Sequence, residues 1–263
     1  IWSNQKKIKM SIEEKICLAG IDMAWVSDRN PTAIAIGQIH EEQLQVTAIH
    51  TQRYGIAQII ESLESAPDLT GVAIDAPTII INQGGARACE MALNRVYGRR
   101  KAGCHPTNLA RFPHADSVAL ANWLEQEGFE HANPMATRWQ IECYPHPALI
   151  EIFGLPERHR YKKGTVQERK VGQVALADML LRLKRSTVLS LQVAADLNYF
   201  FDAEHIYHLR GAALKHNEDV LDAIICLYIA GLFACLSSGT LFGDTKAGYI
   251  YVPQRLAILE AES

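Results

Sequence analysis

The chain has 263 residues and a net charge of −3, with 26 Lys and Arg against 29 Asp and Glu and 48% hydrophobic residues. That composition supports a large apolar core in an ordinary globular fold, and it excludes capture of nucleic acid by a basic field spread over the whole molecule. Six cysteines without a Cys-x-x-Cys pair exclude the usual zinc-finger and thioredoxin-like frameworks and fit buried, reduced thiols in a cytoplasmic protein.

In chain order, Ile1 to Lys7 lack the apolar run of a signal peptide and do not begin with Met. Met10 is therefore the expected start, and residues 1–15 are expected to form a poorly ordered extension. Ile16-Cys17-Leu18-Ala19 leads into Gly20-Ile21-Asp22, which predicts a buried strand whose last residue is an acid that meets solvent. Thr32 to Gly37 and Gln43 to Ile49 alternate partially in polarity on either side of His40-Glu41-Glu42, the pattern of a hairpin, so three adjacent antiparallel strands are expected. Ile56, Ile59, Ile60 and Leu63 recur at helical spacing, and Pro67 helps end that helix. Gly71 to Asp75 is a second buried strand. Reached through a helical crossover, it returns parallel to the first and brings Asp75 to the same sheet edge as Asp22.

Pro77 stops that strand, and Thr78 to Gly85 is read as a loop. Helices are predicted over Arg87 to Tyr97 and Ala115 to Gln126, with the basic cluster Arg99-Arg100-Lys101 and a turn-rich stretch to Asn108 between them. Trp139 to Tyr144 reads as a strand stopped by Pro145, with Glu142 near its end and a helix opening at Pro147. After the basic loop Arg158 to Lys163, helices are predicted from Glu168 to Lys184, over Val188 to Asn198, and to Leu236 from an N-cap at Asn217. The apolar run Val220 to Leu236 contains Asp222, whose charge suits a buried core helix and not a membrane span. Gly248 to Pro253 is expected to close the fold as a strand, and no repeat or linker divides residues 16–263, which predicts one elaborated domain.

The acids carry the chemistry. Asp22 and Asp75 as neighbours repel each other unless a cation lies between them. Asp219 and Asp222 are three residues apart, and Glu218 and Asp222 four, so Asp222 shares a helix face with both. Flanked by Val220-Leu221 and by Ala223 to Cys226, the Asp222 carboxylate needs a partner. Acids from two strand ends and one helix predict an oxygen-ligand site for Mg²⁺ or Mn²⁺, ions that clamp a phosphodiester and activate water. Cys104-His105 with Cys89, His114 or His146 fits no zinc spacing, and Trp25 is assigned to packing beside the site.

Gly-Ile-Asp-x-Ala-Trp, Ala-Ile-Asp-Ala-Pro, Cys-His-Pro, Ile-Glu-Cys-Tyr-Pro-His-Pro, Tyr-Lys-Lys-Gly, Glu-Asp-Val-Leu-Asp-Ala and Gly-Tyr-Ile-Tyr-Val-Pro follow one another between Ile16 and Pro253. In that order they resemble domain-of-unknown-function family 429, described as predicted nucleases. The resemblance implies an RNase H-like α/β fold: a mixed sheet of three antiparallel strands plus parallel strands, flanked by helices and carrying helical insertions. It implies Asp22 as the first-strand acid, Asp75 as the fourth-strand acid and Asp222 with Asp219 as the helix acids, a pair similar to the Asp-x-x-Asp-Ala pattern of Holliday-junction resolvases. Glu142, with His146 four residues later, is a candidate further ligand or general base. Arg87 and Arg99 from one basic group and Lys162 and Lys163 from the other are candidate substrate contacts through phosphate.

The expected activity is metal-dependent hydrolysis of DNA or RNA phosphodiesters, with no membrane partner. Two other readings stay open: a non-catalytic module that binds nucleic acid or protein, and an actin-like phosphotransferase. The latter lacks paired glycine-rich phosphate loops, for which Gly84-Gly85 is a weak substitute.

Overall fold

The computed structural model describes residues 15–25, 30–66 and 68–254; the N-terminal extension and the helix-stopping role of Pro67 lie outside them. Strands β1 (Ile16–Asp22), β2 (Thr32–His40) and β3 (Gln43–Arg53) form the expected antiparallel unit. Helix α1 (Gly55–Glu64) carries the chain across to β4 (Leu69–Ile74), which pairs parallel with β1. Then follow α2 (Ala88–Tyr97), α3 (Asp116–Gln126), β5 (Glu130–His131), β6 (Trp139–Glu142) and α4 (Pro145–Phe153). The chain continues through α5 (Val166–Arg182), β7 (Ser190–Val193), α6 (Ala203–His208), α7 (Gly211–Ala234), β8 (Gly239–Asp244) and β9 (Gly248–Pro253).

Seven strands form one sheet in the order β5-β6-β4-β1-β2-β3-β7, and β8 and β9 form a separate antiparallel hairpin. Within the large sheet β4, β6 and β5 run parallel to β1, and β7 runs parallel to β3. This mixed sheet flanked by helices is consistent with an RNase H-like α/β fold. Among the described residues no helix is long and apolar enough to cross a membrane.

Strand alternation sorts the sheet into two faces. Leu18 of β1 and Ala73 of β4 belong to the core built with α7, whereas Cys17, Ala19, Ile21, Val72 and Ile74 belong to the opposite core with Ile59 and Leu63 of α1 and Leu120 and Leu124 of α3. Helix α7 lies hard against β1 at Gly20, where an added Cβ would stand 2.0 Å from the Leu227 nitrogen and 2.4 Å from the Ala223 oxygen. The glycine therefore sets how closely the helix approaches the strand.

Two expectations are corrected. Val188 to Asn198 is not a helix: Ser190 to Val193 pairs with Gln43 to Val46, and a 3-10 turn spans Ala195–Phe201. Asn217 is not an N-cap, because α7 begins at Gly211 and the buried Asn217 side chain donates to Gln173 Oε1 at 3.2 Å. Strand β8, which pairs with the expected closing strand, has no counterpart in the sequence reading.

Candidate functional site

The two strand-end acids meet through backbone geometry. Asp22 follows Leu18 and Gly20 onto the α7 face of β1, and Asp75 follows Ala73 onto the same face of β4. The Asp75 N–H donates to the Ile21 carbonyl at 2.9 Å, which extends the parallel ladder by one residue and fixes the two aspartates side by side. Helix α7 brings Asp219 and Asp222 to them from above, with Asp222 fully buried and Asp219 nearly so.

These carboxyls hold one another and two lysines. Asp22 and Asp219 share a side-chain hydrogen bond. Asp222 Oδ1 accepts from the Tyr161 hydroxyl at 2.6 Å, and Lys162 Nζ lies 2.6 Å from Asp222 Oδ2. Lys215 Nζ pairs with Asp219 and, at 2.9 Å, with Glu218, which Arg169 also reaches at 3.2 Å. Burial pushes the Asp22 carboxyl up to about 7, with Lys162 opposing and Asp219 adding to the rise. Burial likewise raises Asp75 well above the usual carboxylate range, against the pull of Lys162 and with the repulsion of Asp22 and Asp222. It raises Asp222 too, where Lys162 again opposes. Lys162 is held charged by Asp222 foremost, with Tyr161, Asp22 and Asp75 contributing, and these outweigh its desolvation.

Glu142 borders this group, adding to the rise at Asp75 and lining the same cleft, but its side chain is engaged elsewhere. It lies in register with Ile74 on β4, on the face away from α7. Arg87 grips it with Nη2 at 2.5 Å from Oε1 and Nη1 at 2.9 Å from Oε2, and the Thr78 N–H donates to Oε2 at 2.9 Å. The rest of the Arg87 guanidinium reaches Glu90 at 2.8 Å and the Ile79 carbonyl at 3.0 Å. Arg87 is therefore not an open phosphate contact and Glu142 not a free base: both are buried and fasten the loop after β4. His146 is buried between aromatic rings, and desolvation together with nearby Lys162 drives its imidazole down to about 2, so it stays neutral.

Among the cationic candidates, Lys162 enters the acid group, while Lys163 and Arg99 are exposed. Arg100 and Lys101 pair with Glu151 at 2.9 Å and Glu157 at 2.5 Å, and the Lys170 ammonium donates to the Tyr207 carbonyl at 2.6 Å. Two contributors escape a reading of the acids alone. Tyr161 lies in the Tyr-Lys-Lys-Gly motif that singled out its neighbour, and Lys215 stands four residues before Asp219, a spacing that identifies it once α7 is known to begin at Gly211.

Carboxylate oxygens are the donor set that hard ions such as Mg²⁺ and Mn²⁺ take, and the Lys162 ammonium marks where positive charge is favoured among them. Among the described residues, however, no group of three or more His, Cys, Asp or Glu stands at metal-holding spacing; Cys104, Cys89, His114 and His146 do not gather into one either. Two of the carboxylates are instead paired with ammonium groups, Asp222 with Lys162 and Asp219 with Lys215. Beside Asp75 opens a cleft of about 80 Å³, walled by Trp25, Tyr144, Cys104 and His105 over Ala76 and Pro77. Trp25 is held edge-on by Phe112 at 5.2 Å.

A family model described as protein of unknown function (DUF429) matches residues 20–246. The chain belongs to that family. No curated protein and no solved structure matches it. The span that defines this DUF429 member contains all four aspartates, Tyr161, Lys162 and Lys215, and the residues of the cleft up to Tyr144.

Proposed function

We propose that the chain is a divalent-metal-dependent phosphodiester hydrolase acting on nucleic acid. The observation that carries this reading is the meeting of Asp22, Asp75, Asp219 and Asp222 from β1, β4 and α7, segments far apart in sequence. Bound there, Mg²⁺ or Mn²⁺ would supply Lewis acidity toward a phosphoryl oxygen and a more acidic water. Asp22, Asp75, Asp219 and Asp222 would hold the ion, and Lys162 and the exposed Lys163 would contact phosphate. Arg87 and Glu142 are positioning residues that fix the loop beside Asp75. A cytoplasmic location goes with this reading and is supported by six free cysteines.

The test is cleavage of labelled DNA, RNA and junction substrates with and without Mn²⁺. Metal-dependent cutting is expected, falling more than ~100-fold in Asp22→Asn and in Asp75→Asn; cutting that survives both substitutions sinks the proposal. The Lys162–Asp222 ion pair favours a second reading, a non-catalytic binding module in which the acids are structural. Calorimetry with no heat at millimolar Mn²⁺ would select it.

A further inference from the structure

We propose that Lys162 is the resident counter-ion of the acid site, and that a divalent cation displaces its ammonium from Asp222 so that the released ammonium meets a phosphate oxygen of the substrate. This rests on the hydrolase reading and adds to it a linkage between cation and substrate binding.

Charge balance is the first ground. The Lys162 ammonium lies 2.6 Å from Asp222 Oδ2 and is also attracted by Asp22 and Asp75, so it supplies among these carboxyls the positive charge that a bound cation would supply. The second ground is a division of labour on Asp222. Tyr161 is fully buried, its ring set between His146 at 5.5 Å and His159 at 5.8 Å, and its hydroxyl holds Oδ1. The backbone beside it lies tight on α5, since a Cβ on Gly172 would stand 2.1 Å from the Arg160 oxygen. The loop is thus fixed through Tyr161, and Oδ2 is left to Lys162 alone.

The third ground is access. The Lys162 side chain is 26% exposed while Asp222 is 0% exposed, so the ammonium reaches in from the solvent edge on a flexible stem. It leaves by side-chain rotation, with Tyr161 still in place. An ammonium and a divalent cation drawn to the same carboxylate repel strongly at such separations, so occupancy by one disfavours the other. A divalent ion bound here restores the neutralisation of Asp222 that Lys162 gives up. The ammonium, carried next to the exposed Lys163, is then free for an anionic oxygen.

The experiment titrates Mn²⁺ alone, without nucleic acid, into the wild-type chain and into Lys162→Gln, whose amide is a donor without charge, with thermal melts of both. Removing the competing charge is expected to tighten Mn²⁺ binding about tenfold or more. Equal or weaker binding in the variant overturns the exchange and leaves the hydrolase reading standing; no Mn²⁺ binding by either chain overturns both. Should the variant fail to fold, the wild type decides. Acylation of Lys162 by an N-hydroxysuccinimide ester, read by peptide mass spectrometry with Lys163 as internal reference, is expected to rise several-fold with Mn²⁺. Unchanged or reduced labelling overturns the proposal.

Discussion

Asp22 carries its carboxyl at about 7 against an ordinary 3.8, raised first by burial and then by its proximity to Asp219. Between roughly pH 4 and 7 the folded chain therefore holds a proton that the unfolded chain has lost, and folding stability falls as pH rises through that window. Asp22→Asn removes the ionisation. It is expected to raise Tm at pH 8, by on the order of 2–4 °C for each kcal/mol recovered, and to change it little near pH 4; equal shifts at both pH values would contradict this. In the proposed metal site Asp22 would have to lose its proton to accept a cation, so the proposal predicts an Mn²⁺ affinity that climbs as pH rises through about 7, which calorimetry at several pH values checks. Arg87 tests a different principle. Arg87→Met leaves Glu142 buried without its cation and is expected to cost about 3–5 kcal/mol in urea unfolding. The double replacement with Glu142→Leu is expected to cost less than the sum of the two single ones. Asp22 and Asp75 were legible as neighbours because each follows an apolar strand run and a helical crossover returns β4 parallel to β1, and Asp222 because its neighbours are apolar. The engagement of Glu142 was not, since only strand pairing reveals which face of the sheet a residue meets.

Helix α7 and the strand beneath it are joined by the contact at Gly20. Gly20→Ala forces a methyl into the backbone of α7 at Ala223 and Leu227, and overpacking of that kind costs about 1–3 kcal/mol or more. As Asp219 and Asp222 ride on the same helix, the proposed metal site predicts that Mn²⁺ affinity falls together with stability; a variant of unchanged melting temperature and affinity would mean that the helix has room to move. The helix also explains where reading the sequence failed. His216 to Asp219 has the composition of a helix start, yet the first turn lies at Gly211 because Asn217 finds Gln173 and the acids find Lys215. Val188 to Asn198 failed for the opposite reason. Leu189 and Leu191 alternate as a strand would, but the Ala194-Ala195-Asp196-Leu197 run suggests a helix, and the pairing of Ser190 to Val193 with Gln43 to Val46 far earlier in the chain overrides it.

At the scale of the whole molecule, the antiparallel unit and the parallel return of β4 were legible because apolar runs, a crossover helix and handedness leave few topologies. The β8–β9 hairpin was not: β8 is mostly exposed and lacks the apolar alternation that marks a strand. The sheet itself ends on β5, of two residues, and on β7, of four. Strands that short offer too few free amide and carbonyl groups for a foreign strand to add on, a recognised defence against ordered aggregation. The native chain is accordingly expected to give no growth of thioflavin fluorescence on prolonged incubation, and not to seed fibres, at concentrations where a longer open edge would recruit its neighbours.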